Sequence, residues 1–202
     1  PIASGVISVT NALLFLLLQL MLSLTILLQL NETCWLLGFL VLLLVFSYPA
    51  FKRFTYWPQF ILGLTFNWGA LMGWVSITGE IDIPSVLLYL AGVFWTLGYD
   101  TIYAHQDKED DAMIGVKSSA LALENSTKPF IYTVYIITMA GIFLIGWMSE
   151  FSIPFYLVCL IAFCQLIWQI RTLDLDSPND CLKKFKSNRF FGFLITFAIF
   201  LG

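Results

Sequence analysis

Long apolar runs, each interrupted at only a few polar positions, fill most of this chain, and their lengths predict its elements. A helix that crosses the hydrocarbon core of a bilayer needs about 20 mostly apolar residues, with a range of roughly 17–25. Seven stretches reach or approach that length: 11–30, 34–50, 58–78, 84–103, 129–149, 153–171 and 189–202. Asn31-Glu32, Gly79-Glu80-Ile81-Asp82 and Ser149-Glu150 predict three tight turns between them. Connections 51–57, 104–128 and 172–188 alternate with those turns. The expected class is all-α, a polytopic transmembrane helical bundle.

Composition agrees with lipid as the solvent. The 202 residues are 59% hydrophobic and only 11% charged, whereas a soluble domain carries roughly 25% charged residues. A soluble helical bundle would need polar faces, and 11–30 offers only Asn11, Ser23, Thr25 and two Gln. The net charge of −3 says little by itself, and no basic tract for nucleic acid is present. Cys34, Cys159, Cys164 and Cys181 form no CxxC pair, and the three that lie in apolar runs read as small hydrophobes.

The charge map orients the bundle. All 10 Lys and Arg fall on the three longer connections or on the helix ends beside them. The tight turns carry none. Positive residues remain on the cytoplasmic or matrix side, so the N-terminus is expected inside and the chain's last residue outside.

The chemistry concentrates where the fourth segment ends, in Tyr99-Asp100-Thr101-Ile102-Tyr103-Ala104-His105-Gln106-Asp107-Lys108-Glu109-Asp110-Asp111. Asp100, Asp107 and Asp111 are spaced by seven and then four residues. At about 100° per residue they fall within roughly 40° of one another on a continuous helix. Such a stack repels itself unless a cation offsets it. Mg²⁺ takes oxygen ligands and is commonly held by one or two carboxylates, water and substrate phosphates. Acids that simply face water are the alternative. Asp100 weighs against it, because it belongs to an otherwise apolar span.

Tyr48-Pro49-Ala50-Phe51-Lys52-Arg53 lies on the same side of the membrane as the acids. Lys52 and Arg53 can contact an anion there or merely anchor the loop. Asn67, among Gly63, Gly69 and Gly73, suits helix packing first and a substrate contact second. His105, the one histidine, pairs with nothing at metal-ligand spacing and reads as a solvated neighbour.

The run Asp100-x-x-Tyr103-Ala104-x-x-Asp107-x-x-x-Asp111 resembles the second aspartate-rich motif of the UbiA superfamily of membrane prenyltransferases. Ile114-Gly115-Val116-Lys117-Ser118-Ser119-Ala120 is similar to the stretch just downstream of that motif. Tyr48 to Arg53, Trp57-Pro58-Gln59, Gly63 to Gly73, Leu173-Asp174 and Ser187-Asn188-Arg189 resemble the 4-hydroxybenzoate branch. The likeness covers essentially the whole chain.

That resemblance implies a nine-span fold of which seven spans, the third to the ninth, are present. Pro1-Ile2-Ala3-Ser4-Gly5 resembles the stretch just after the first aspartate-rich motif. Residues 1–202 are then expected to be a single prenyltransferase domain without its N-terminal part, inactive alone. The implied reaction is Mg²⁺-dependent transfer of a polyprenyl group from its diphosphate to the ring of 4-hydroxybenzoate, in ubiquinone synthesis. Asp107, Asp111, Asp100 and Asp110 would be metal ligands, and Tyr103 a diphosphate or ligand contact. Lys52, Arg53 and Asn67 would contact substrate. The implied location is a bacterial inner membrane or, alternatively, a mitochondrial one, with the site on the cytoplasmic or matrix side and no obligate protein partner. A different acceptor (haem, homogentisate or a naphthoate) is the alternative within the superfamily, and an ion transporter the alternative outside it.

Overall fold

The computed structural model describes the backbone of residues 1–202 and every side chain except that of Lys52. The described residues form helices α1 Val9–Leu27, α2 Glu32–Phe54, α3 Pro58–Phe66, α4 Trp68–Thr78, α5 Ile83–Ala104, α6 Lys108–Ile114, α7 Ser119–Leu123, α8 Thr127–Met148, α9 Ile153–Arg171 and α10 Pro178–Leu201. A 3₁₀ turn, Glu124–Ser126, joins α7 to α8. No strand occurs among the described residues, so the all-α class holds.

Among these residues, six segments are long and apolar enough to cross a membrane: Val9–Leu27, Glu32–Phe51, Pro58–Thr78, Ile83–Ala104, Ser119–Met148 and Ile153–Arg171. The seventh expected segment, 189–202, is the second half of α10. Its first half carries Asp180, Lys183, Lys184 and Lys186 ahead of Arg189, which makes the whole helix too polar for the same criterion. Much of the connection expected at 172–188 is therefore helix.

Side-chain caps build two of the three tight turns. The Asn31 side chain accepts from Cys34 N (3.0 Å) and donates to Val75 O (2.7 Å), which ties the start of α2 to α4. Gly79 takes the left-handed φ of +82° that ends α4. Asp82 and Ser85 then form a reciprocal capping box at the start of α5. Burial raises the Asp82 pKa, but hydrogen bonds from Ser85 and from the Trp74 indole outweigh it and hold the carboxyl below its ordinary range.

The span 58–78 is not one helix. α3 stops at Phe66 and α4 starts at Trp68, with Asn67 between them. Its Nδ2 donates to Gly63 O (2.9 Å) and to Thr96 Oγ1 of α5 (2.7 Å). Gly92 is required opposite, because a Cβ there would collide with the Asn67 amide. An amide inside the bilayer needs such partners, and here it staples the break to α5.

α5, α8, α9 and α10 enclose the main core. Ile102, Ile131, Tyr135, Phe155, Leu166 and Phe191 are among its buried side chains. Gly98 lets α8 approach α5 closely, since a Cβ at that position would strike the Tyr135 ring. The Tyr135 hydroxyl donates to Gln169 Oε1 (2.7 Å), and Gln169 Nε2 donates to Lys184 O and Ser187 Oγ (both 2.9 Å). This buried polar chain links α8, α9 and α10.

Candidate functional site

α5 ends at Ala104. A turn at His105, Gln106 and Asp107 comes next, and Asp107 then caps α6. The acids therefore do not share one continuous helical face, as their spacing suggested. The polar run His105-Gln106-Asp107 interrupts the helix, and Glu109, Asp110 and Asp111 occupy the first turn of α6, where the helix dipole favours negative charge.

The turn nevertheless brings Asp100, Asp107 and Asp111 to one cavity of about 110 Å³. Tyr103 and Ala104 also line it, as do Tyr48 from α2, Gln59 and Leu62 from α3, and Lys117 and Ser118 from the segment before α7. Asp110 does not take part. It is exposed, and the cavity lining leaves it out. Arg53 is likewise exposed and is left out of the cavity lining. The Lys52 side chain lies outside the described residues.

Local structure explains the convergence. Pro49 has no N–H to continue the α2 ladder, and the Tyr48 ring emerges at that turn. Pro58 occupies the first position of α3 and directs Gln59 inward, where Gln59 is 5% exposed. Gln59 Oε1 accepts from Ser119 N at 3.1 Å. Thr101 Oγ1 and Ser119 Oγ lie 2.8 Å apart, which ties α5 to α7. The segment 115–118 is thus held over the acids from two sides.

His105 is buried, not solvated, with Nε2 3.1 Å from Thr127 Oγ1. The Thr127 hydroxyl is already donating to Glu124 O (2.8 Å), so a neutral His105 must donate from Nε2. Burial, helped by nearby Lys108, lowers its pKa to about 4. It therefore brings no positive charge to the acids at neutral pH.

Two further cavities adjoin the acidic one behind a wall of rings. Tyr103 and Tyr99 each pack on Phe185, at 4.8 and 5.7 Å, and Trp95 packs on Phe191 at 4.9 Å. One cavity, about 470 Å³, is lined by Trp95, Tyr99, Phe185, Lys186, Asn188 and Arg189. The other, about 250 Å³, is mostly apolar and includes Asn67, Gly92, Trp95 and Phe191. Asn67 thus reaches a cavity wall while its amide serves the α3–α4 break.

The donor set fits a hard cation that is only partly held by protein. Three carboxylates line one cavity, but among the described residues no three His, Cys, Asp or Glu converge as a ready-made metal site. Such an ion would need water and a substrate oxygen to complete its shell, which is how Mg²⁺ is commonly bound. Sequence reasoning missed Gln59, Lys117 and Ser118 as cavity residues. Their signals were the Trp57-Pro58-Gln59 stretch and the Ile114-Gly115-Val116-Lys117-Ser118 run directly after the acids.

Comparison with known proteins extends the picture. A model of the UbiA prenyltransferase family matches residues 1–195. The mitochondrial 4-hydroxybenzoate polyprenyltransferase of Arabidopsis thaliana is 50% identical over 204 residues, covering 100% of this chain and 50% of the relative. The human mitochondrial protein of the same name is 48% identical over 204 residues, covering 100% and 55%. The chain spans about half the length of these curated relatives. An apo structure of a UbiA homologue from Aeropyrum pernix K1 superposes with a TM-score of 0.81 at 19% identity, covering 99% of this chain and 75% of that one.

Proposed function

The chain belongs to the UbiA prenyltransferase family, and from that premise we propose that it carries the diphosphate-binding half of a 4-hydroxybenzoate polyprenyltransferase. The reaction would move a polyprenyl group from its diphosphate to the carbon ortho to the acceptor's hydroxyl, in ubiquinone synthesis. The observation that carries this reading is the convergence of Asp100, Asp107 and Asp111 with Tyr103 and Lys117 on one cavity at the end of α5. Because the relatives are about twice as long, the full activity is assigned to the full-length protein and not to these 202 residues alone.

Asp107 and Asp111 would hold Mg²⁺, with Asp100 next to them. Asp110 would serve the solvated face of α6 instead. The chemistry such an ion would supply is charge neutralisation of the diphosphate, which would leave with the electron pair of the broken allylic C–O bond. A new C–C bond would form to the ring, and the ring proton would pass to the released diphosphate. Trp95, Tyr99, Phe185 and Phe191 would line the dry space in which the electron-poor allyl group meets the acceptor, since aromatic faces favour positive charge and exclude water. Lys52, whose backbone lies near the end of α2, stays a candidate for an anion contact. Exposed Arg53 would act as an anchor on the positive-inside face. That face would be the matrix or cytoplasmic one of a mitochondrial or bacterial inner membrane.

The test is to reconstitute the full-length protein in liposomes with Mg²⁺, a polyprenyl diphosphate and 4-hydroxybenzoate, and to determine product mass. A ring-prenylated product is expected. Product with homogentisate or a naphthoate but not with 4-hydroxybenzoate would move the protein to another branch.

A further inference from the structure

We propose that Lys117 and Ser118 form the phosphate-binding wall of the acidic cavity, donating N–H and O–H to the oxygens of a diphosphate. This rests on the proposed function in so far as the diphosphate is that of the prenyl donor. It assigns a role to residues beyond the aspartate motif.

Ser118 occupies the N-cap of α7, and serine there ordinarily turns its oxygen onto a helix N–H two or three residues on. Here it makes no such bond. The Ser119 N–H next to it donates to Gln59, and the Ser119 hydroxyl is taken up by Thr101, so neither offers Ser118 a partner. Ser118 is left 2% exposed, with an Oγ that is buried and lacks any hydrogen-bond partner. Its side chain lines the cavity that holds Asp100, Asp107 and Asp111. A buried hydroxyl without a partner is a net cost to the fold unless something else bonds it. The Leu121 N–H, three residues on, bonds the Ser118 carbonyl and not its Oγ, which leaves the hydroxyl available to a ligand.

Lys117 adds the charge. Gly115, at φ +71°, ends α6 in the left-handed region and turns the chain back over the acids. Lys117 Nζ donates to Phe54 O (3.3 Å) and sits 5.2 Å from the Tyr56 ring centroid. That carbonyl uses one of three N–H donors. The cavity is therefore lined by acceptors from α5 and the start of α6 (Asp100, Asp107, Asp111) and by donors from the segment before α7 (Lys117, Ser118). A bare cation would need no donors, and a bare anion would be repelled by the carboxylates. A metal-bound diphosphate would use both sets, the acids through the metal and the donors through charge-assisted hydrogen bonds to its oxygens.

The full-length protein with Ser118→Ala, Ser118→Thr, Lys117→Ala and, as control, exposed Lys183→Ala decides this. The readouts are direct titration with inorganic diphosphate plus Mg²⁺, KM for both substrates, and melting temperature. Ser118→Ala should weaken inorganic diphosphate and raise KM for the polyprenyl diphosphate by about ten-fold, the scale of one lost hydrogen bond to a charged group. KM for 4-hydroxybenzoate should hold, and the melting temperature should stay level or rise. Ser118→Thr should recover most of the loss, Lys117→Ala should lose at least as much, and Lys183→Ala should behave as wild type. Unchanged diphosphate affinity in Ser118→Ala, or a melting temperature that falls without a change in affinity, would overturn the assignment. Binding of inorganic diphosphate in a protein that does not prenylate 4-hydroxybenzoate would keep this inference while defeating the acceptor assignment. Prenylation that is indifferent to Ser118 and Lys117 would do the reverse.

Discussion

Helices α1 and α5 are both apolar enough to cross a membrane, yet none of α1 is buried and half of α5 is. The packed helix is the least apolar of the six candidate spans. Hydropathy reports which solvent a helix tolerates, whereas burial tracks the groups that need protein partners. α5 carries Thr96, Thr101, Gly92 and Gly98, whose hydroxyls and bare backbone fit Asn67, Ser119 and Tyr135. Polar side chains at and beyond the end of α1 satisfy themselves locally: Thr25 donates to Met21 O (2.8 Å), and Gln29 to Thr25 O (3.1 Å). One helix is a scaffold for a site, and the other is a leucine surface for lipid or another helix.

Substitutions should separate the two by size of effect. Gly98→Leu drives a side chain into the Tyr135 ring and should cost about 3 kcal/mol or abolish folded protein, read as thermal stability in detergent. A fully stable variant would mean that α5 and α8 are not in close contact. Thr101→Val removes the partner of the Ser119 hydroxyl and should cost about 1–3 kcal/mol by the same assay.

His105, just past α5, makes stability depend on pH. Its folded pKa, about 4, lies below the ordinary 6.5, so the unfolded chain binds the extra proton between those values. Stability should be full above about pH 6.5 and fall progressively as pH drops toward 4. His105→Gln keeps a donor for Thr127 and removes the titration, so it should flatten melting temperature across that window; an unchanged slope would absolve His105. At the small end, Leu16→Ala in α1 should change stability by less than about 0.5 kcal/mol, because Leu16 is 50% exposed. A loss several times larger would show that α1 is packed in solution.

Much of the fold was legible in the sequence because bilayer thickness fixes the length of an apolar span. Asp100 was visible because an acid in an apolar run is conspicuous. The break at Asn67 was not, since Phe66-Asn67-Trp68 leaves hydropathy almost undisturbed and the bond to Thr96 comes from 29 residues away. The turn at 105–107 was hidden by a periodicity that looks the same whether or not the helix continues. Lys117 and Ser118 stood out only as part of the run after the acids, because their place in the cavity lining and the unpartnered Ser118 hydroxyl are tertiary. Arg53 was conspicuous in sequence and is exposed in the fold. Charge shows which side of the membrane a residue occupies, not which way its side chain faces.

The central claim is that the acids at the end of α5 hold the metal on which prenyl transfer depends. Its most direct test is turnover of the full-length protein at saturating Mg²⁺ with Asp107→Asn and Asp111→Asn, alongside melting temperature. Each variant should fold as well as wild type, since it relieves like-charge repulsion, and lose turnover by on the order of 10²-fold or more. Folded variants that both turn over at near wild-type rates would contradict the account.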